Sequence, residues 1–222
     1  MNGIINIGRN GFTSTEAIKQ AVKALSNGQL IAVPTDTIYG IAALAQNNQA
    51  VDALYRIKRR DQKKPIAICV SDIRDIPKWG KITIPLSLLE DLLPGPVTVV
   101  LERTSELNPN LNPDTSLVGI RIPNHSFLQA VTKVCNQCLA LTSANISSQS
   151  NTLSVEEFRE LWPHLEYVFD VGRLDDNSKR LGSTVIDLSV PGYYKVIRKG
   201  CAYDETIKKL HHFNLKKQNE DL

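Results

Sequence analysis

A series of short apolar runs constrains this chain more than any other feature. Leu30 to Val33, Pro65 to Val70, Val97 to Leu101, Leu117 to Ile122, Leu139 to Leu141, Tyr167 to Phe169, Thr184 to Leu188 and Tyr194 to Ile197 are too short for ordinary helices and rich in Val, Ile and Leu. They read as strands. Between some of them the apolar residues fall at helical spacing. One such stretch starts at a capping box, Thr13 with Glu16, and stops at Gly28. Others run from Asn48 to Lys58, Pro85 to Leu93 and Phe127 to Val134, and a further helix is expected behind Ser154 with Glu157. Several strands follow one another with no helix between them. This irregular alternation predicts an α/β (α+β) fold, a twisted mixed β-sheet flanked by helices, rather than a regular doubly wound parallel sheet. With 222 residues, no internal repeat and no linker long enough to separate two domains, the chain is expected to form one domain over 1–201. A basic tail over 202–222, weakly helical, reads as a solvated end.

Hydrophobic residues at 42% and charged residues at 22% exclude wholesale disorder, and a net charge of +3 neither demands nor excludes a polyanionic partner. No run approaches the roughly 18 apolar residues that cross a bilayer, and Met1 to Gly11 lacks the core of a signal peptide. A cytoplasmic protein without a transmembrane segment is therefore expected; a mitochondrial pool is compatible with the same sequence. Cys135-Asn136-Gln137-Cys138 is a lone CxxC that closes a helix instead of opening one, so reduced, half-buried thiols are expected, and no protein-held metal. The sequon Asn145-Ile146-Ser147 would matter only in a secreted protein.

GxxxxGK[ST], GxGxxG, kinase signatures and HExxH are all absent. An anion site must then be assembled from scattered cations, hydroxyls and loop amides. Lys58-Arg59-Arg60 ends a helix, where the dipole favours cations whether or not a ligand is bound. Ser143-Ala144-Asn145 follows a strand and offers a hydroxyl, an amide and backbone N–H groups, or a turn closed on itself. Arg121 and Arg198 lie at ends of apolar strands, and each needs either an internal carboxylate or an anionic ligand. Pro34-Thr35-Asp36-Thr37 and Gly182-Ser183-Thr184 are polar turns at strand ends. His125 reads as a surface or satisfied histidine.

Taken in order, these segments resemble one family. PTDTIYG at 34–40, IKRR at 57–60, KPIAICV at 64–70, LLPGPVTVVLE at 92–102 and LVGIRIPNH at 117–125 are similar to it. So are LALTSAN at 139–145, LGSTVIDLS at 181–189 and VIRKG at 196–200. The family is that of the YrdC-like threonylcarbamoyl-AMP synthases, with LNPDTSLVGIRIPNH and VEEFRELWPHL closest to its animal members. The resemblance implies a sheet curved around a deep basic groove. It implies a reaction in which L-threonine, bicarbonate (or CO2) and ATP with Mg2+ give threonylcarbamoyl-adenylate, pyrophosphate and water. The product would serve a downstream threonylcarbamoyl transferase complex that modifies adenosine 37 of tRNA. Residue by residue, the family's K-x-R…S-x-N motif implies Lys58, Arg60, Ser143 and Asn145 around the nucleotide phosphates, with Arg198 contacting ATP. Its threonine site implies Thr35, Arg121 and Ser183, with Arg121 on the substrate carboxylate. The metal would be held mainly by phosphate oxygens and water.

Two anionic reactants must be brought together in such a reaction, so charge neutralisation and alignment are needed more than a covalent nucleophile. Three departures from the family pattern stand out: Val171 in place of Gly, Lys199 in place of Pro, and Ser148 in place of Gly. The chain resembles the short form without an extra C-terminal domain. The competing reading is an RNA-binding module whose basic groove and tail contact phosphates. An amino-acid pocket at Thr35, Arg121 and Ser183 has no purpose there, and aromatics at 6% offer few stacking platforms. A redox role for Cys135 and Cys138 is the third reading.

Overall fold

A computed structural model describes residues 3–8, 14–58, 65–146, 149–175 and 180–218. Its strands are β1 (Gly3–Asn6), β2 (Ile31–Val33), β3 (Gly40–Leu44), β4 (Ala67–Cys69), β5 (Val97–Glu102) and β6 (Leu117–Arg121), then β7 (Leu139–Ser143), β8 (Tyr167–Asp170), β9 (Thr184–Asp187), β10 (Tyr193–Arg198) and β11 (Lys216–Lys217). They form one mixed sheet in the order β1-β8-β2-β3-β7-β4-β6-β5-β9-β10-β11. The helices are α1 (Thr15–Ser26), α2 (Asn48–Lys58), α3 (Ile76–Trp79), α4 (Leu86–Leu92), α5 (Ser126–Cys135) and α6 (Tyr203–His212). The mixed α/β architecture expected from the alternation is the one observed.

The period of two along each strand sorts the core into two layers. Along β3, Ile41 and Ala43 join a cluster with Val51 and Leu54 of α2, Leu88 and Leu89 of α4, Trp79 of α3 and Leu210 of α6. Ala42 and Leu44 face the other way, against Ala17, Ala21 and Leu25 of α1 and Phe127, Leu128 and Val131 of α5. The second layer draws no residue from β5, β6, β9 or β10. On that side, α1 and α5 cover only part of the sheet, and the remainder is left as the wall of a groove.

The register fixes which side chains line it. Leu141 pairs with Ala67 across β7 and β4, Gly119 with Val100 across β6 and β5, and Val100 with Asp187 across β5 and β9. The next row carries Cys69 beside Arg121 and Thr98 beside Val185. A β-bulge between Val196 and Arg198 sets Arg198, rather than Ile197, opposite Val185, which swings the guanidinium to the groove face. Gly200 then crosses the start of β9 so closely that a Cβ there would lie 2.2 Å from the Ser183 carbonyl carbon. Only glycine fits.

Several local expectations change. Ser14 caps α1, its hydroxyl accepting from the Ala17 N–H at 3.4 Å, while Thr13 lies outside the described residues. Gly40–Leu44 is a strand that its Ala-rich sequence does not announce; burial on both faces overrides the helical propensity of Ala. Val155–His164 is a 3-10 helix in which Ser154 makes no side-chain cap. The Glu157 carboxylate accepts from the Leu153 N–H at 3.0 Å instead. The segment after Cys201 is not a solvated end as far as residue 218: Thr206, Leu210 and Leu215 are buried, and β11 pairs parallel with β10. One apolar stripe of α6 docks on the core and leaves its lysines outward. Among the described residues no helix is long and apolar enough to cross a membrane.

Candidate active site

Thr35, Arg121, Ser143, Ser183 and Arg198 line a single cavity of about 550 Å3. They come from five separate strands or strand ends, so the fold unites residues that the sequence keeps far apart. Thr98, Val100, Val185 and Asp187 complete the wall from β5 and β9. Gly119 keeps the floor open, since a Cβ there would come within 3.1 Å of Thr98 Cγ2.

Lys58 and Asn145 sit one layer behind Ser143. Lys58, the last residue of α2, is only 1% exposed. Its Nζ donates to the Ser143 carbonyl at 2.6 Å, to Asn145 Oδ1 at 2.8 Å and to the Asn145 carbonyl. Ser143 Oγ donates to Asn145 Oδ1 at 2.5 Å, and Asn145 Nδ2 to the Gln149 carbonyl at 2.6 Å. A buried ammonium is tolerated only when its donors find acceptors. Here the acceptors are the backbone and amide of the loop itself. The two distant segments Lys58 and Ser143 to Asn145 are thus one unit, in which Lys58 braces the loop from behind. Arg59 and Arg60 lie outside the described residues.

The opposite wall is organised around Thr35. Its Oγ1 donates to the Ile38 carbonyl at 2.7 Å and accepts from the Thr37 and Ile38 N–H groups at 3.1 and 3.2 Å, winding 35–38 into a tight turn. That turn presents Asp36 and Thr37 to Arg121. Arg121 Nη2 donates to Asp36 Oδ1 at 2.5 Å and to Thr37 Oγ1 at 3.1 Å, with the side chains of the ion pair 8% and 12% exposed. The internal carboxylate that a strand arginine requires is Asp36. Above it, Ser183 Oγ shares a 2.9 Å hydrogen bond with Thr98 Oγ1. Arg198 donates to the Ser183 carbonyl through Nε and Nη2 at 3.1 and 2.9 Å, and to Ser183 Oγ at 3.0 Å.

Tyr39 anchors the turn from below. Its hydroxyl donates to the Gly172 carbonyl at 2.7 Å and accepts from the Val171 N–H at 3.1 Å. The positive φ of this corner, +82°, falls on Gly172, so Val171 is accommodated where Gly was expected. Lys199 is accommodated as well, with its ammonium 4.9 Å above the Tyr203 ring.

Among the described residues the charged groups on the cavity wall are Arg121, Arg198 and Asp187. The basic character expected of the groove is therefore modest there, because Asp36 offsets Arg121; Arg59, Arg60, Lys63 and Lys64 fall outside the described residues. No group of three or more His, Cys, Asp or Glu side chains suited to a metal occurs among the described residues. Burial pushes the Cys135 thiol up to about 11 and those of Cys69 and Cys138 to about 12, and all four cysteines are free. Thiols so protonated are poor nucleophiles, which removes support from the redox reading. Sequence reasoning missed Asp36 and Thr37 as partners of Arg121, and Thr98 and Asp187 as wall residues. The available signal was the pattern of alternation, Thr98 two residues before Val100 and Asp187 two residues after Val185.

The family model Sua5_yciO_yrdC, described as telomere recombination, matches residues 23–200. A Bos taurus protein described as threonylcarbamoyl-AMP synthase is 50% identical over 204 residues, covering 90% of this chain and 74% of that protein. A Homo sapiens protein of the same description is 51% identical over 195 residues, covering 86% and 70%. The crystal structure of P. abyssi Sua5 complexed with L-threonine superimposes with a TM-score of 0.85 at 26% identity, covering 97% of this chain. The chain spans 62% of that archaeal chain's length. E. coli YciO, at 22% identity and a TM-score of 0.76, shares the fold over 89% of this chain and 94% of its own.

Proposed function

Because this chain belongs to the Sua5/YciO/YrdC family, we propose that its groove is the active site of a threonylcarbamoyl-AMP synthase. It joins L-threonine and a one-carbon unit from bicarbonate or CO2 to the α-phosphate of ATP, releasing pyrophosphate. The observation that carries this reading is the convergence of Thr35, Arg121, Ser143, Ser183 and Arg198 on one cavity of about 550 Å3, a size suited to a nucleotide and a small amino acid together. The chain shares half its residues with curated synthases over most of its length.

The division of labour follows from the two walls. Arg121 offers a guanidinium for the substrate carboxylate, at the end of the cavity shared with the Thr35 turn. Ser143, held by Lys58, and Arg198, braced on Ser183, bound the region where phosphates would lie. Arg60 completes that cationic set in this proposal. Carbamate and triphosphate are both anions, so these groups lower their mutual repulsion and hold them in line. Mg2+ enters as the counter-ion of ATP. In this proposal it would be held mainly by phosphate oxygens and water. The product passes to a threonylcarbamoyl transferase complex acting on tRNA, and a cytoplasmic setting belongs to the same proposal.

The test is pyrophosphate release by the purified chain. Release that needs ATP, threonine and bicarbonate together is expected. Release indifferent to threonine and bicarbonate would overturn the reading, and tight binding of tRNA with no synthesis would favour an RNA-binding module instead.

A further inference from the structure

The ion pair at the threonine end of the cavity is only half used. Asp36 Oδ1 accepts from Arg121, but Asp36 Oδ2 is buried and has no hydrogen-bond partner among the described residues. A buried carboxylate oxygen without a donor costs free energy. The position is therefore set for a donor from outside the protein. Its place in the molecule agrees. Thr35 lines both the main cavity and a neighbouring hollow of about 420 Å3, Arg121 lines the first and Asp36 the second. The pair stands at the junction between them.

A fixed cation beside a fixed anion is complementary to a zwitterion. An α-amino acid carries its carboxylate and its ammonium on one carbon, a separation that two adjacent side chains can match. The Thr35 hydroxyl, by contrast, is engaged four times within its own turn, so it shapes the pocket more than it offers a free group to a ligand. We propose that Asp36 is a substrate-recognition residue whose Oδ2 accepts a hydrogen bond from the α-ammonium of the amino acid held by Arg121. The proposal rests on the threonine-using reading above and deepens it. It makes the Arg121–Asp36 pair, rather than Arg121 alone, the reason that the site takes an amino acid and not a simple hydroxy acid. Burial lowers the pKa of His125 against the pull of Asp36, and its Nδ1 is also buried with no hydrogen-bond partner among the described residues.

The experiment compares L-threonine with 2,3-dihydroxybutanoate, which keeps the carboxylate and both carbon substituents but has a hydroxyl in place of the amine. Binding of each to the full chain is measured by calorimetry, and the KM for threonine by pyrophosphate release. The wild-type chain is expected to prefer threonine by at least about thirtyfold, as befits one charge-assisted hydrogen bond at a largely buried carboxylate. In Asp36→Asn, which keeps the side-chain shape and an oxygen for Arg121, threonine affinity falls about tenfold or more and the analogue is bound as before. KM rises accordingly, with kcat changed less than threefold. Asp175→Asn removes an exposed carboxylate from the same hollow and is expected to leave both ligands unaffected.

Equal weakening of both ligands in Asp36→Asn would mark Asp36 as merely structural and overturn the proposal. So would an effect of the same size in Asp175→Asn, since a diffuse field would then be responsible. Should Asp36→Asn not fold, the wild-type comparison decides alone, and a preference below about threefold rejects an ammonium contact. A wild-type chain that makes no threonylcarbamoyl-adenylate but still discriminates the two ligands would defeat the synthase reading while sparing this one.

Discussion

The two walls of the groove are each built around a buried cation, and they differ in what balances it. On one side, among the described residues, the Lys58 ammonium is spent on a loop, donating to the carbonyls of Ser143 and Asn145 and to the Asn145 side-chain oxygen. On the other the Arg121 guanidinium is matched by the Asp36 carboxylate. The first unit fixes the backbone of a loop, and the second is neutral as a pair. A braced loop holds its hydroxyl and amide groups in place for a ligand, with no reorganisation when one arrives. A balanced pair attracts no net charge and selects by geometry. In the function proposed above, the first wall would align phosphates and the second would sort amino acids.

Removing Lys58 should break this contrast most severely. Lys58→Met fills similar volume but strips the Asn145 carbonyl of its donor and leaves the Ser143 carbonyl and Asn145 Oδ1 with one donor each, at a cost of roughly 3 kcal/mol. Synthesis is expected to fall at least a hundredfold, with the melting temperature lowered by several degrees in a thermal scan. Lys58→Arg should not rescue it, because a planar fork cannot reproduce the compact set of three acceptors. Full activity in Lys58→Met would mean that the loop is braced by something else. Arg60→Ala is expected to cost at least about tenfold in synthesis, as loss of one phosphate contact would.

Arg121→Lys tests the balanced side. The lysine keeps the charge opposite Asp36 but loses the fork that reaches Asp36, Thr37 and a ligand carboxylate at once. The KM for threonine should rise about tenfold, with the KM for ATP moving less than threefold. A parallel rise in both would show that the two walls do not act separately.

Much of this architecture was legible in the sequence because it depends on local pattern. The strand at Leu117–Arg121 was visible from its apolar run, and the arginine at its end was conspicuous because a buried guanidinium must be matched. The match itself was not legible. Asp36 lies 85 residues away from Arg121, and the parallel and antiparallel joins that bring β2, β4, β6 and β9 together are written in pairing, not in any one segment. β3 was hidden for a different reason. Gly40–Leu44 has helix-favouring alanines, and its strand state is imposed by small residues packed between two layers of core. Docking of α6 was obscured by composition, since four charged residues, Asp204, Glu205, Lys208 and Lys209, outnumber the two that bury, Thr206 and Leu210. The bulge that turns Arg198 inward left no signature that alternation alone could reveal.

The loop that leads into Ser183 is tied down by a clasp of a third kind, closer to solvent. Glu157 accepts from Arg180 at 2.6 and 2.9 Å, from Arg173 at 2.8 Å and from the Leu153 N–H at 3.0 Å. Its hydrogen bonds to Arg180, foremost among these contacts, hold the carboxyl at about 2 in place of the ordinary 4.5. A depressed folded-state value contributes stability that is complete above the unfolded value, and that is lost as pH falls through the folded one. The benefit of Glu157 should therefore be full at pH 7, fade below about 4.5 and vanish near 2. Partial exposure screens the pair, so Glu157→Gln is expected to cost only about 1 kcal/mol at neutral pH. Denaturant midpoints of the two proteins should converge as the pH is lowered through this window. Midpoints that stay equally far apart down to pH 2 would show that the clasp works by shape and not by charge.

The smallest effect is expected at Cys138, which lies beside the groove-forming strands but outside the contrast between the walls. Cys138→Ser replaces a buried thiol, held protonated by burial, with a hydroxyl of nearly the same size. Burying the more polar group costs about 1 kcal/mol of stability. Synthesis is expected to stay within twofold of the wild type, under both reducing and oxidising conditions. Cys135 is partly accessible and Cys138 is buried. A loss of activity on oxidation in the wild type that Cys138→Ser abolishes would reverse this conclusion and return the CxxC to the reaction. Protection of the Cys138 thiol from alkylation until the chain unfolds would instead confirm it as a packing group at the start of β7, remote in chemistry from Lys58 and Arg121 alike.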